Sequence, residues 1–145
     1  MIYAYTKITD QYTTYQMTTP EGSTELATID DITYVHIPDS ETLPDQPDEI
    51  TVTPVALTPE LLAQIKVASP HVQLINQRMI DMIRAQYTVD DELFFARIAG
   101  GAGLGMYDIP AQEQDELAAY KDVVEAAREW GRQQRAALGL TLEAS

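Results

Sequence analysis

A proline-rich, acidic segment in the first half of the chain constrains the fold more than any other feature. Residues 37–57 read IPDSETLPDQPDEITVTPVAL, and their prolines are Pro38, Pro44, Pro47 and Pro54. Proline removes a backbone donor and interrupts helices, and the acidic residues between the prolines repel one another. We therefore predict that residues 38–57 form an extended linker or arm along another surface. Its EITVT portion can still add an edge strand.

The chain before this arm predicts a small β module over residues 1–37. It is rich in Thr, Tyr and Ile, which suit pleated and half-buried surfaces. The segments that read as short strands are IYAYTKI, YTTYQMT, TELATI and ITYVHI. A Pro/Gly turn precedes the third segment, and Asp30-Asp31 separates the last two. The expected arrangement is an antiparallel β meander.

The chain after the arm predicts a helical module over residues 58–139, followed by a tail over 140–145. Thr58, Ser69 and Thr88 each supply a hydroxyl before a proline or an acidic first turn, which is typical of helix N-termini. The expected helices are 59–68, 70–87, 89–99 and a last one from about Pro110 to Gly139. The predicted fold class is therefore α+β, with a β meander, an extended arm and a C-terminal helical hairpin or bundle.

A glycine-rich stretch, RIAGGAGLGMYDIP (97–110), separates the last two predicted helices. A dinucleotide-binding loop needs G-x-G-x-x-G between a strand and a helix, and this stretch follows a helix with a different spacing. No lysine or arginine lies between Arg97 and Lys121 to hold a phosphate. We therefore predict a conformational joint, in which Gly100 ends one helix and the later glycines let the chain turn.

The sequence offers no chemistry-bearing constellation. Cysteine is absent, and His36 and His71 are the only histidines. Asp30, Asp31 and Asp39 lack the ligand spacing of a calcium loop, and no serine lies in a nucleophile motif. We predict no catalytic, cofactor-binding or metal-binding residues, no cofactor and no small-molecule substrate, and hence a protein that is not an enzyme.

Charge and hydropathy restrict the partners. The net charge is −14, and residues 1–55 hold ten acidic residues and one basic residue, so their net charge is −9. This balance argues against nucleic acid as a partner, because phosphate binding needs a basic face. No apolar run is long enough to cross a membrane, and the first ten residues do not read as a secretion signal.

Two groups of residues are candidates for partner binding. In the second predicted helix, apolar residues recur at helical spacing in a stripe too wide for one surface, which indicates burial on two sides or contact with another subunit. In the β module, tyrosines supply contact area with a polar tip, and they are equally suited to packing the module against helices. The candidates are Tyr3, Tyr5, Tyr12, Tyr15, Val72, Ile75, Met79, Met82, Ile83 and Trp130.

Two stretches near the C-terminus resemble a known group of proteins. YTVDDELFFARI (87–98) and YKDVVEAAREWGRQQRAALGL (120–140) are similar to the C-terminal halves of small bacteriophage tail-associated proteins. IKVASPHVQLINQRMIDMIRAQY and ELATIDDITYVHIPD extend the similarity over most of the chain. The resemblance implies a short link between these two helices. The glycine-rich stretch at that place departs from it.

The resemblance implies a structural protein of the tail, at the baseplate or the tail fibre. Its expected partners are fibre or baseplate subunits and other copies of itself, and its expected location is the virion tail, after synthesis in the host cytoplasm. One alternative is a tail fibre assembly chaperone that leaves before the virion is complete. A second alternative, from the charge alone, is an acidic inhibitor of a host nucleic-acid-binding protein.

Overall fold

A computed structural model describes residues 1–142 and confirms the α+β class. The strands are β1 (Ile2–Tyr5), β2 (Ile8–Thr9), β3 (Thr14–Tyr15), β4 (Thr24–Ile29), β5 (Ile32–His36) and β6 (Thr53–Val55). The helices are α1 (Pro59–Ala68), α2 (Pro70–Arg84), α3 (Val89–Gly103) and α4 (Ala111–Ala137). The chain forms two compact units: residues 1–75 with the chain from Gln134 onward, and Asn76–Gln133.

The sheet of the first unit departs from a simple meander. Its strand order is β4-β5-β1-β6, and every neighbouring pair is antiparallel. A meander would place β1 at an edge, next to the strand that follows it. Instead, β2 and β3 form a separate hairpin, whose turn is fixed by backbone N–H groups donating to the Asp10 carboxylate. β1 therefore pairs with β5 on one side and with β6, from the proline-rich arm, on the other.

The turn between β4 and β5 explains the register of that hairpin. Asp30 and Asp31 both have positive φ, at 50° and 66°, which is the backbone that a two-residue hairpin turn requires. Ile29 then pairs with Ile32, and the side chains of Thr28 and Thr33 share a 3.0 Å hydrogen bond. The Asp-Asp pair predicted from the sequence thus sets this turn.

Both faces of the sheet are covered by apolar side chains of the first unit. One cluster contains Ile2, Leu26, Ile65, Val72 and Leu140. The other contains Tyr5, Met17, Val35, Ile37 and Ile50. Ile50 comes from the proline-rich arm, and Leu43 and Val52 of the same arm pack beside it. Apolar residues of the arm therefore cover the second face of the sheet.

Helix boundaries follow their capping residues, with one correction. Thr58 caps α1, and Thr88 and Asp91 form a reciprocal capping box at the start of α3. The expectation that Gly100 ends this helix is wrong, because α3 continues to Gly103. Gly105 has φ of +71°, and the N–H of Met106 donates to the carbonyl of Gly101. The turn therefore falls after Gly103.

The C-terminal end of α4 belongs to the first unit. Gly139 has φ of +72°, and its N–H and that of Leu140 close the helix on the carbonyls of Ala136 and Arg135. Leu140 is buried in the cluster with Ile2. The predicted tail over 140–145 thus begins with a core residue, and its last three positions lie outside the described residues.

Candidate interaction surfaces

The tyrosines proposed for partner binding lie in different environments. Tyr5 is buried in the first unit, and Tyr3 and Tyr15 are half-buried against the same cluster. Tyr12 is 86% exposed at the turn of the β2–β3 hairpin. Of these four tyrosines, Tyr12 is therefore the one whose side chain is largely exposed to solvent. Their partner-binding role stays a prediction.

The α2 stripe is mostly covered by its own chain. Val72 and Ile75 are buried, Met79 and Ile83 are half-buried, and Met82 is at the border of exposure. Trp130 of α4 is also half-buried. The stripe therefore explains packing within the chain, and its role toward a partner stays a prediction.

Close packing of α2 on α4 in the second unit depends on a glycine. A Cβ at Gly131 would collide with the sulfur of Met79. Ala127, one helical turn earlier on α4, is also fully buried. Small residues on α4 thus allow the methionine side chain to lie against the helix backbone.

Three aromatic rings form the centre of the second unit. Phe95 stacks on Tyr120, with ring centroids 4.8 Å apart, and Tyr87 meets both rings edge to face. Phe95 is buried, whereas the adjacent Phe94 is partly exposed. Such pairs add about 0.5–1.5 kcal/mol each beyond the area they bury. The cluster fixes α3 against α4.

An ion pair and a phenol border these rings. Arg84 donates to Glu92 at 2.6 Å, and the Tyr120 hydroxyl donates to the other Glu92 oxygen at 2.9 Å. The hydrogen bond from Arg84 lowers the pKa of Glu92, and that from Tyr120 acts in the same direction. Burial raises the pKa of Tyr120, and its hydrogen bond to Glu92 raises it further.

This arrangement connects three helices. Both Glu92 oxygens are engaged, one by Arg84 and the other by the Tyr120 hydroxyl. Among residues 1–142, no buried side-chain nitrogen or oxygen lacks a hydrogen-bond partner. The triad of Arg84, Glu92 and Tyr120 therefore links α2, α3 and α4.

A cleft beside the sheet of the first unit has a volume of about 150 Å³. Tyr5, Ser23 and Glu25 lie in its lining. The Ser23 hydroxyl donates to the carbonyl of Pro20, and Glu25 pairs with Lys7. Ser23 and Glu25 are thus engaged with other groups of the chain.

One face of α3 is apolar and exposed. Val89 and Leu93 project from it, and Ala96 and Gly100 follow at spacings of four, three and four residues. We call Val89, Leu93, Ala96 and Gly100 the α3 outer face. A spacing of this kind is that of a helix–helix seam. The sequence carried this signal, but the expectation that Gly100 ends the helix concealed it.

The loop after α3 adds further exposed apolar side chains. Leu104 and Met106 are among the most exposed large hydrophobic residues described. Tyr107 returns toward the helix: its Cβ lies 3.0 Å from where a Cβ at Gly101 would be, and its hydroxyl donates to Glu113. Gly101 thus makes room for Tyr107, which holds the loop in place.

Searches for other kinds of site and for relatives gave no match. Within residues 1–142, no group of three or more His, Cys, Asp or Glu residues is placed to hold a metal ion. None of the helices in this described part is both long and apolar enough to span a bilayer. Comparison with family models, with curated proteins and with solved structures found nothing that matches this chain.

Proposed function

We propose that this chain is a non-enzymatic structural protein of a bacteriophage tail, at the baseplate or the tail fibre. It binds neighbouring tail proteins through its helices and its β module. The observation that carries the binding role is the set of exposed apolar side chains along α3 and the following loop, namely Val89, Leu93, Leu104 and Met106.

The energetics of these side chains support a binding role. Full burial of a Val, Leu or Met side chain contributes about 1.5–3 kcal/mol relative to leaving it in water. A partner that covers several of them at once therefore gains a substantial part of its binding free energy there. Exposed apolar side chains that a partner can cover together are typical of protein–protein contact sites.

The tail assignment rests on the resemblance of two stretches, and their packing supports reading them as one feature. Residues 87–98 begin α3 and residues 120–140 form the later part of α4 and its cap. Tyr87 and Phe95 of the first stretch contact Tyr120 of the second. The resembling residues thus include the ring cluster at the centre of the second unit.

The test is the location of the protein. Mass spectrometry of purified particles of the phage that encodes this chain should find it in a fixed ratio to a known tail subunit. A major capsid protein serves as the internal standard, and a non-virion phage protein reports carry-over. Absence from particles, with recovery in a complex with fibre protein from infected cells, would contradict this proposal and favour the assembly chaperone.

The acidic inhibitor predicts a different result. Pull-down from host lysate would then recover a nucleic-acid-binding protein, and the recovery would fall steeply between low and high salt. Tail subunits held mainly by apolar contacts would be retained as salt rises.

A further inference from the structure

We infer that α3 pairs with α3 of a second copy of this chain, antiparallel, through the α3 outer face. The inference rests on the proposed function only in taking the chain to act by binding other chains. It names one of those partners and the surface that the partner covers. Three features of α3 point to a self-complementary contact: residue size, charge and an unexplained glycine.

The sizes of the residues on the outer face are complementary about a two-fold axis. The large residues, Val89 and Leu93, come first, and the small ones, Ala96 and Gly100, come last. If the axis passes between Phe94 and Phe95, Leu93 of one copy lies opposite Ala96 of the other. Val89 then lies opposite Gly100. Each large side chain meets a small residue, as close packing of two helices requires.

Charges beside the outer face are complementary about the same axis. Asp90 and Arg97 flank the face on one side and are separated by seven residues, or about 10 Å along the helix, so they do not pair with each other. Within residues 1–142 neither of them takes part in an ion pair. In the antiparallel pair, Arg97 lies within about 3 Å along the axis of Asp90 from the other copy. Two equivalent ion pairs result.

Gly100 is unexplained by contacts within its own chain. It lies inside α3, where glycine is less favourable than alanine by about 1 kcal/mol. A Cβ at this position would have no atom within 4 Å, so no neighbour in the chain needs the space. In the antiparallel pair the side chain of Val89 from the second copy fills it. The cost in helix stability is thereby offset at the contact.

A second copy fits this face better than an unrelated helix. About a single two-fold axis, the large residues of one copy lie opposite the small residues of the other. The acidic and basic residues beside the face match about the same axis, so α3 alone supplies both sides of the contact. In an isologous contact both copies use the same surface, so the N-terminal half of the face on one copy meets the C-terminal half on the other. Pairing of the flanking charges on the same side of each helix also selects the antiparallel orientation.

The first experiment measures self-association of the full chain and a matched pair of variants by sedimentation equilibrium. We expect a concentration-dependent dimer. Leu93→Glu should raise its dissociation constant at least tenfold, because it buries a charge opposite Ala96. Leu74→Glu is the control: Leu74 is also a helical leucine, also 49% exposed, and it lies on α2. It should leave the constant unchanged.

Charge reversal separates pairing from a general loss of stability. Asp90→Lys and Arg97→Glu should each raise the dissociation constant about tenfold, and the double variant should restore it to within about twofold. Because the two residues do not pair within one chain, such restoration requires two copies. Circular dichroism of each variant confirms that the helices are retained. Failure of the double variant to restore the dimer overturns the inference.

Disulfide cross-linking tests the antiparallel orientation of the two α3 helices. The sequence contains no cysteine, so an introduced cysteine can pair only with another introduced cysteine. A mixture of Val89→Cys and Gly100→Cys chains should form a mixed disulfide dimer rapidly. Gly100→Cys alone should not, because its two copies lie about 16 Å apart along the axis. The reverse pattern, or a wild-type chain that stays monomeric at every concentration, overturns the inference even if tail subunits bind. A dimer that no tail subunit binds overturns the proposed function alone.

Discussion

The apolar faces of the sheet and the α3 outer face differ in how far the rest of the chain covers them. The sheet of the first unit has apolar residues on both faces, and helices, the proline-rich arm and Leu140 cover them. On the α3 outer face of the second unit, Val89 is 54% exposed and Leu93 is 49% exposed. The first surface is part of a closed core. The second shows that a helix with apolar residues on two sides can bury one side within the chain, here Phe95 and Ile98, and leave the other exposed.

Truncating one leucine in each region tests this difference with the largest expected effect. Leu26→Ala should lower the free energy of unfolding by about 2–5 kcal/mol, because Leu26 is fully buried and its removal leaves a cavity. Leu93→Ala should change it by no more than about 0.5 kcal/mol at concentrations where α3 is unpaired. Urea denaturation followed by circular dichroism measures both. Equal losses would show that the outer face is covered within the chain.

A smaller effect is expected from a matched pair of glycines. Gly139 and Gly105 have nearly the same φ, +72° and +71°, so alanine costs about 1–2 kcal/mol of backbone strain at each. At Gly139 the new Cβ would also lie 2.5 Å from the Cδ2 atom of His36, whereas at Gly105 it meets nothing. Gly139→Ala should therefore lower the melting temperature clearly more than Gly105→Ala. Thermal unfolding of the two variants in parallel tests this, and equal shifts would contradict the close contact.

The smallest effect concerns the pH dependence of the first unit. Burial lowers the pKa of His36 from its ordinary value of 6.5, the N-terminal amine acts in the same direction, and Asp39 opposes them. The unfolded chain then binds a proton before the folded chain does, so stability is full above pH 6.5 and falls as the pH drops below it. Denaturant titrations at pH 7.5 and 5.5 should show this loss.

A matched histidine provides the control for that measurement. His36→Gln should remove part of the loss between the two pH values. His71→Gln, at the exposed other histidine, should leave it in place. An unchanged loss in the His36 variant would assign the pH dependence to other groups.

Local signals predicted much of the secondary structure. TELATI and ITYVHI coincide with β4 and β5 to within one residue, and Thr58 and Thr88 mark the starts of α1 and α3. These features depend on neighbouring residues, such as the Asp-Asp turn and the capping box. The pairing of β1 with β5 and β6 was not predicted, since it depends on contacts between distant parts of the chain.

The candidate surface was missed for a related reason. Helices often end at a glycine, so the sequence from Gly100 onward predicts a joint. In the structure the ladder of hydrogen bonds continues, and Tyr107 packs against Gly101. The helix therefore extends to Gly103, and Gly100 lies in line with Val89 and Leu93. The α2 stripe was more conspicuous in sequence, but Val72 and Ile75 are buried.

The cluster that contains both Ile2 and Leu140 has a consequence for biosynthesis. These residues belong to one hydrophobic cluster, although they lie near opposite ends of the described chain. A ribosome makes the strands of the sheet first and Leu140 only much later, so the nascent sheet waits with one apolar face incomplete. Such long-range closure slows folding and lengthens exposure to aggregation. Cellular yield should therefore depend on how quickly translation reaches Leu140, just after α4.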